Sequence, residues 1–214
     1  MNAQLLVLAK QPVPGRVKTR LCPPCTHQQA AAVAAAALED TIAAVAATPA
    51  ARRTLVISGS HAPPVGWAVV RQQGAGLGER IANAFADTAV GGIPSLLIGM
   101  DTPQVTPDLL SEVADGLSRA DAVLGPAEDG GWWTLALREP HHAAVLRDVP
   151  TSRPDTGALT TAALRRRGLT VRMAPTLCDV DTATDAWAVA RTCPAGLFAT
   201  AVRAHVTLTD GSLA

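Results

Sequence analysis

Residues 5–21 read LLVLAKQPVPGRVKTRL, and this stretch determines which fold we predict. It opens with a short apolar run, residues 5–9, of a length typical of a buried strand. Two prolines and Gly15 follow, and such residues cannot continue a strand or a helix. A strand that runs into a glycine- and proline-containing loop ahead of a helix is the usual build of a phosphate-binding corner. The stretch therefore predicts an α/β fold with an anion site after the first strand.

The loop after this strand concentrates positive charge. It contains Lys10, Arg16, Lys18 and Arg20, and no acidic residue precedes position 39. These two lysines are the only lysines of the chain, and a lysine ammonium is a compact point charge that suits a phosphate. We predict that Lys18 contacts phosphate, and that Arg16 matters less because Gly15 turns the chain and directs Arg16 to the opposite side. The alternative is an ordinary strand-to-helix connection with solvated charges.

Composition narrows the class of protein. The chain has 214 residues, 48% of them hydrophobic, which suits one α/β domain over residues 1–214, with the tail after residue 193 uncertain. Basic and acidic residues balance at 18 each, so neither nucleic acid nor an anionic membrane is the expected partner. The longest uninterrupted apolar run, residues 30–38, is too short to span a bilayer, and residues 1–9 lack the basic region of a signal peptide. We expect a cytoplasmic protein with reduced cysteines and leave a homodimer open.

Strand and helix signals alternate along the chain. Thr26 with Gln29 forms a capping-box pattern ahead of an alanine-rich run, and Pro107 suits the first position of a helix that Thr106 caps. Such alternation predicts a mostly parallel sheet with helices on both faces. The predicted strands are residues 5–9, 54–58, 67–70, 95–98, 122–124, 132–137 and 169–174, and the predicted helices include residues 27–47, 79–88, 156–167 and 183–190.

Carboxylates and glycines follow several of the predicted strands. Ligands of such sheets bind beyond the carboxyl ends of the strands, so the cationic loop, residues 74–78, Asp101, Asp179 and Asp181 should gather at one edge. Mg²⁺ is normally held by one or two carboxylates together with substrate phosphates. A single aspartate would be a turn or cap residue. Asp101 and Asp181 together, next to a cationic loop, favour a metal site.

Five stretches of the sequence, taken in their order along the chain, are typical of one protein family. They are AKQPVPGRVKTRL (9–21), GAGLGERIANAF (74–85), LIGMDTPQVTP (97–107), GPAEDGGWWTLAL (125–137) and CDVDTATD (178–185). As a set they resemble the glycosyltransferase-A-like (GT-A-like) bacterial family DUF2064, which is similar to the CofC-type 2-phospho-lactate guanylyltransferases of coenzyme F420 synthesis. The resemblance spans residues 4–190. It implies a Rossmann-like nucleotide-diphospho-sugar transferase fold and a nucleoside triphosphate or NDP-sugar ligand.

The resemblance also implies roles for individual residues. Catalytic roles would fall to Lys18, Arg20 and Asp101, and Asp101 with Asp179 and Asp181 would hold Mg²⁺ or Mn²⁺. The nucleotide would lie against Ala9, Lys10, Pro14, Gly15, Lys18, Gln73, Gly76, Gly78 and Glu79. The acceptor would face Glu128, Asp129, Gly130 and Ser152. Residues 151–153 read Thr-Ser-Arg where relatives often carry Trp-Ser-Thr, so the acceptor is expected to differ.

Three other patterns have a structural explanation. Cys22 and Cys25 have redox or zinc spacing but lack a second CxxC, so we predict no metal site there. Of Trp132 and Trp133, which alternate in a predicted strand, one should pack in the core and the other can flank the cleft. His141-His142 lacks metal partners by spacing and is predicted to lie in a surface loop. Cys178, Cys193 and His27 remain further candidate ligands for the cysteine pair.

Taken together, the sequence predicts an Mg²⁺-dependent nucleotidyltransferase. It would transfer a nucleoside monophosphate from a nucleoside triphosphate to a small phosphorylated acceptor and release pyrophosphate. The alternative is a glycosyltransferase that uses an NDP-sugar in the same site, and the second alternative is a non-catalytic nucleotide-binding module. The intact acidic and basic sets favour an enzyme.

Overall fold

The computed structural model describes residues 2–207 of the chain. Its strands are β1 (Gln4–Lys10), β2 (Arg52–Ser58), β3 (Ala68–Arg71), β4 (Ser95–Gly99), β5 (Ala122–Pro126), β6 (Trp132–Leu137) and β7 (Val171–Met173). Its helices are α1 (His27–Ala47), α2 (Leu77–Thr88), α3 (Pro107–Gly116), α4 (Thr156–Arg166), α5 (Ala183–Thr192) and α6 (Leu197–His205). Short 3₁₀ helices cover Thr19–Leu21 and Pro140–Asp148.

The seven strands form one sheet in the order β3-β2-β1-β4-β6-β5-β7. All neighbours pair in parallel except β6, which is antiparallel to both β4 and β5. The first residues of β6 therefore lie at the edge where β1, β4 and β5 end. The predicted mostly parallel α/β sheet is confirmed, and a single domain over residues 1–214 stays a prediction.

Apolar side chains cover both faces of the sheet. In β1, Leu5 and Val7 pack with α1 and α3, whereas Leu6 packs with α2 and α4 on the other face. The alternation follows from the period of two along a strand that is buried on both sides. Helices α5 and α6 form a further layer against α1, around the buried Phe198. The predicted helices on both faces are thus confirmed.

Helix α1 begins at the predicted capping box. Gln29 N donates to Thr26 Oγ1 at 3.2 Å, and the Gln29 side chain accepts from Thr26 N at 2.8 Å. By length and composition alone α1 could cross a membrane, although a core helix passes the same test and 56% of its apolar window is buried inside the protein. It contacts β1, α3 and α6, which is the environment of a core helix. The predicted cytoplasmic location stays a prediction.

One element was left open by the sequence prediction and another differs from it. The tail after residue 193, which the sequence left uncertain, contains α6, and Asp40 of α1 accepts hydrogen bonds from Leu197 N and Phe198 N at 3.0 and 2.8 Å. This cap comes from a residue distant in sequence, so no local signal reveals it. His141 and His142 lie in the 3₁₀ helix rather than in a loop.

Candidate active site

A cavity of about 410 Å³ opens at the edge where β1 and β4 end. The loop after β1 lines one side of it, and the β5–β6 turn with residues 151–153 lines the other. Asp101 follows β4, and Asp179 and Asp181 lie between β7 and α5. Because Val180 N donates to the carbonyl oxygen of Asp101 at 3.1 Å, the backbone itself joins these two acidic segments.

Lys18 is enclosed among the acidic residues of this cavity. Its ammonium nitrogen lies 2.5 Å from Asp101 Oδ1 and 4.0 Å from Asp181 Oδ1, and it donates to the carbonyl of Val180. Its backbone is left-handed, with φ of 47°. Within residues 2–207 the other non-glycine residue with positive φ is Ser152, and both line the cavity. Sparsely populated backbone conformations of this kind cluster at functional sites.

Arg20 reaches the same acidic group from the solvent side. Its Nη1 lies 2.6 Å from Asp181 Oδ2, and its side chain is 75% exposed. An exposed ion pair contributes only about 0–1 kcal/mol to stability, so this contact is readily exchanged for a ligand. Arg16 lines the cavity as well, contrary to the expectation that it points away from Lys18.

Asp179 carries the most perturbed carboxyl of the site. Its Oδ1 is shut off from solvent and has no hydrogen-bond partner. Burial is the main cause that raises the pKa of Asp179 to about 7, and the nearby charges of Asp101 and Asp129 add to it, while Lys18 acts in the opposite direction. An orphaned carboxylate oxygen among other carboxylates is a position that a bound cation would stabilise.

The donor set at this edge fits a hard cation by its chemistry. It offers carboxylate oxygens without nitrogen or sulfur, as Mg²⁺ and Mn²⁺ prefer. The ligand atoms of the three aspartates are not all within 4.8 Å of one another, and Lys18 lies between Asp101 and Asp181. These carboxylates must therefore move together to share one cation.

Among residues 2–207, a different group has potential ligand atoms that all lie within 4.8 Å of one another. It consists of Glu139, His141 and His142 at the start of the 3₁₀ helix Pro140–Asp148. The expectation that the two histidines lack potential metal partners is therefore wrong. Glu139 and His141 are exposed, and the group lies outside the cavity lining.

The structure brings part of the predicted site together. The residues that line the cavity are Ala9, Lys10, Lys18, Arg20, Asp101, Asp129, Ser152, Asp179 and Asp181. The predicted contacts that lie outside its lining are Pro14, Gly15, Gln73, Gly76, Gly78, Glu79, Glu128 and Gly130.

Three of these outlying residues have structural roles. A Cβ at Gly78 would overlap the carbonyl oxygen of Leu146, and a Cβ at Gly130 would overlap that of Pro154. Glu79 Oε2 accepts from Ala75 N at 2.7 Å and so holds the loop before α2. Close packing and loop capping account for these residue types without a ligand.

Sequence reasoning missed other lining residues. Gln72 lines the cavity instead of Gln73, because β3 extends to Arg71 and Gln72 is the first residue beyond it. Its side-chain amide donates to the carbonyl oxygens of Ala9 and Val56 at 2.7 and 3.2 Å, which joins the ends of β1 and β2. Placing the end of β3 at Arg71 would have identified Gln72 as a lining residue. Further lining residues are Leu77 and Ile81, which lie in the motif at residues 74–85, and Thr151 and Arg153, which flank Ser152.

The tryptophan pair divides as predicted. Trp133 is 1% exposed, and its indole N–H donates to the carbonyl of Pro175 at 3.0 Å. Trp132 is partly exposed and also lines the cavity. An aromatic surface is therefore available to a ligand beside Asp129.

A parallel sheet with an antiparallel strand inserted near one end, and a ligand cavity at the strand ends, defines a nucleotide-diphospho-sugar transferase fold of the GT-A-like type. The family model described as an uncharacterized protein conserved in bacteria, DUF2064, matches residues 29–153. The chain belongs to this family. No curated protein matches the sequence.

Solved structures agree with this fold. A candidate nucleotide-diphospho-sugar transferase from Desulfovibrio desulfuricans G20 is 26% identical with a TM-score of 0.85, over 95% of each chain. CMP:2-keto-3-deoxy-manno-octonic acid synthetase, complexed with CTP, is 11% identical with a TM-score of 0.58, over 91% of this chain and 99% of its own. Rv0371c of Mycobacterium tuberculosis H37Rv, complexed with manganese, is 21% identical with a TM-score of 0.52, over 88% and 98%. The latter two are similar in fold alone.

Proposed function

We propose that this chain is a metal-dependent nucleotidyltransferase. It would transfer a nucleoside monophosphate from a nucleoside triphosphate to a small phosphorylated acceptor and release pyrophosphate. The observation that carries the proposal is the meeting of Lys18 with Asp101 and Asp181, beside the orphaned oxygen of Asp179, in one cavity. The CTP of the synthetase complex and the manganese of Rv0371c support the same ligand classes by fold analogy.

Nucleotidyl transfer requires charge stabilisation more than proton transfer. An acceptor phosphate oxygen attacks the α-phosphorus in line, the bond from this phosphorus to the bridging oxygen breaks, and pyrophosphate leaves with that oxygen. The attacking phosphate is already ionised, so no protein base is required. Lys18, Arg16 and Arg20 line the cavity and would stabilise the charge on the phosphates. A divalent cation held by Asp101, Asp179 and Asp181 would supply further charge neutralisation.

The two walls of the cavity suggest how the ligands divide. On the β1 side the backbone ends of β1 and β2 meet at Gln72, and Leu77 and Ile81 of α2 add apolar surface, which suits a nucleoside. On the other side Asp129 and Arg153 offer one charge of each sign to an acceptor. Nucleotide contacts by the outlying predicted residues, such as those among residues 73–79, stay predictions.

A glycosyltransferase is the second candidate. The similarity to the Desulfovibrio desulfuricans G20 protein, which carries the name of a nucleotide-diphospho-sugar transferase, favours it. The same acidic and basic set would then hold the diphosphate of an NDP-sugar, and a nucleoside diphosphate would leave. The identity of the released product, pyrophosphate or nucleoside diphosphate, distinguishes the two reactions.

Thermal unfolding with a ligand panel tests both candidates. The four common nucleoside triphosphates and several NDP-sugars are each added with Mg²⁺ or with EDTA. A ligand at 100 times its Kd stabilises the folded state by about 2.7 kcal/mol, so a true substrate raises Tm clearly. We expect one triphosphate to do so with Mg²⁺ only, and Lys18→Ala to lose about 2–4 kcal/mol of nucleotide binding or turnover.

The control variant is Glu112→Gln, which removes an exposed carboxylate on α3, outside the cavity lining. It should respond to every ligand as the unmodified protein does. If no triphosphate and no sugar nucleotide raises Tm with Mg²⁺, the proposal of a nucleotide-dependent transferase is wrong. If an NDP-sugar alone raises it, the glycosyltransferase replaces the nucleotidyltransferase.

A further inference from the structure

Lys18 lies deeper in the protein than the carboxylates that it contacts. Its side chain is 6% exposed, whereas those of Asp101 and Asp181 are 49% and 40% exposed. The ammonium has three oxygen partners, because it also donates to the carbonyl of Val180. The positive charge is thus placed on the inner side of the acidic group, while the carboxylates keep contact with solvent.

The backbone holds Lys18 in this position. The residue is left-handed, with φ of 47° and ψ of 37°, and it immediately precedes the 3₁₀ helix Thr19–Leu21. On either side of it, Val17 packs against the main core and Leu21 is fully buried. A left-handed conformation is uncommon for a residue with a Cβ and persists where surrounding contacts compensate for it. The fold therefore fixes the backbone of Lys18, and a change of partner for the ammonium involves the side chain alone.

A divalent cation would compete with this ammonium. Any cation shared by Asp101 and Asp181 would come within a few ångströms of Lys18 Nζ, where like charges in a partly enclosed site repel strongly. The three aspartates are also too far apart to share a cation without moving. Closing them around a metal requires the ammonium to leave the space between Asp101 and Asp181, and polyphosphate oxygens in the same cavity would give it a new partner.

We propose that Lys18 is an internal counter-ion, which holds the acidic group in the metal-free protein and transfers to the ligand's phosphates when a divalent cation enters. The inference rests on the proposed function, since it takes a cation and a polyphosphate as the ligands. It predicts that the two ligands strengthen each other's binding, because the cation releases Lys18 for the phosphates and the phosphates stabilise the released ammonium. Such coupling is reciprocal by thermodynamic necessity.

Mn²⁺ binding without nucleotide provides the first test. Free Mn²⁺ is measured by electron paramagnetic resonance in titrations of the full chain. Lys18→Met should bind Mn²⁺ at least about tenfold more tightly than the unmodified protein, because a repelling charge is removed. The matched control is Lys10→Met, which removes the other lysine, an exposed residue that lines the same cavity. It should change the Kd by less than about twofold, since Lys10 lies nearer to solvent.

The unmodified protein provides a second test, which does not depend on the folding of a variant. Lys10 and Lys18 are the only lysines, so an amine-acetylating reagent followed by peptide mass spectrometry reports on both, with Lys10 as internal reference. Saturating Mn²⁺ should raise the acetylation of Lys18 relative to Lys10 severalfold. Inorganic tripolyphosphate added with the metal should lower the ratio again, because it occupies the released ammonium.

Each outcome decides the inference. Mn²⁺ binding by Lys18→Met that is equal to or weaker than that of the unmodified protein overturns it, and so does an acetylation ratio that saturating Mn²⁺ leaves unchanged. Tighter Mn²⁺ binding without stabilisation by any triphosphate would keep the counter-ion and reject the nucleotidyltransferase. Mg²⁺-dependent stabilisation by a triphosphate together with unchanged Mn²⁺ binding by Lys18→Met would keep the nucleotidyltransferase and reject the counter-ion. Mn²⁺ that binds neither protein overturns the counter-ion, whereas the ligand panel with Mg²⁺ decides the nucleotidyltransferase separately.

Discussion

Replacing Asp179 with asparagine should stabilise the metal-free protein at alkaline pH. Burial and the surrounding carboxylates raise the pKa of Asp179 to about 7 in the folded protein, whereas an unfolded chain has an ordinary aspartate. The folded state therefore binds this proton more tightly than the unfolded state. This tighter proton binding by Asp179 contributes stability that is fully present below about pH 4 and is lost as the pH rises through about 7. Asparagine carries no charge and loses nothing over that range.

The magnitude follows from the size of the shift. A rise from 3.8 to about 7 is about three pKa units, which corresponds to about 4 kcal/mol at full effect. Asp179 is partly exposed, so solvent screening reduces this figure, and we expect about 2 kcal/mol. The variant should be more stable than the unmodified protein by this amount at about pH 8, and the difference should shrink towards zero at about pH 4.

Urea unfolding in EDTA across this pH range measures the effect. Glu112→Gln serves as the matched carboxylate-to-amide control on exposed α3 and should stay within about 0.5 kcal/mol of the unmodified protein at every pH. A stability difference for Asp179→Asn that does not depend on pH would refute the assignment of a raised pKa. Destabilisation at alkaline pH would mean that the ionised carboxylate has a favourable partner in the folded protein.

Further changes test the rest of the site. Asp101→Asn should abolish Mg²⁺-dependent stabilisation by nucleotide while Tm in EDTA changes little, and a variant that binds Mg²⁺-nucleotide normally would make Asp101 a turn residue. Gly78→Ala should destabilise the fold by about 1–3 kcal/mol in urea, because its Cβ would overlap the Leu146 carbonyl, whereas Gly91→Ala, with open space around its Cβ, should have little effect. Equal destabilisation by the two glycine substitutions would argue against close packing of Gly78 in α2. Cys22→Ser combined with Cys25→Ser should leave nucleotide binding and bound metal unchanged, and stoichiometric zinc lost in the double variant would contradict this.

The sheet was predictable because its signals are local. The apolar run of β1, the Thr26 capping box and the proline at the start of α3 each fix an element from neighbouring residues alone. Parallel topology then places the ends of β1 and β4 side by side. Lys18 and Asp101 therefore meet where the sequence predicted, although nothing in the sequence showed that Lys18 would be almost fully enclosed by the acidic residues.

Most of the errors arise where distant parts of the chain meet. Gly78 belongs to a motif that suggests a ligand loop, yet it packs closely against the Leu146 carbonyl of the 3₁₀ helix, which comes far later in sequence. The cap of α6 depends on Asp40, more than 150 residues earlier. Glu139, His141 and His142 cluster because a 3₁₀ turn brings adjacent residues to one side. Each contact exists only after the chain has folded, so composition and periodicity carry no trace of it.

Because β6 runs antiparallel to β4 and β5, the two walls of the cavity are built in different ways. The wall that we assign to the nucleotide is built at the ends of the parallel strands β1, β2 and β3, where a residue change in β1 or β2 affects two neighbouring strands. The opposite wall is the hairpin turn between β5 and β6 and the short segment before α4, and Gly130 of the turn packs closely against Pro154 of that segment. A protein engineer could therefore exchange residues 127–131 and 151–153 as one cassette and offer the same donor side a new acceptor.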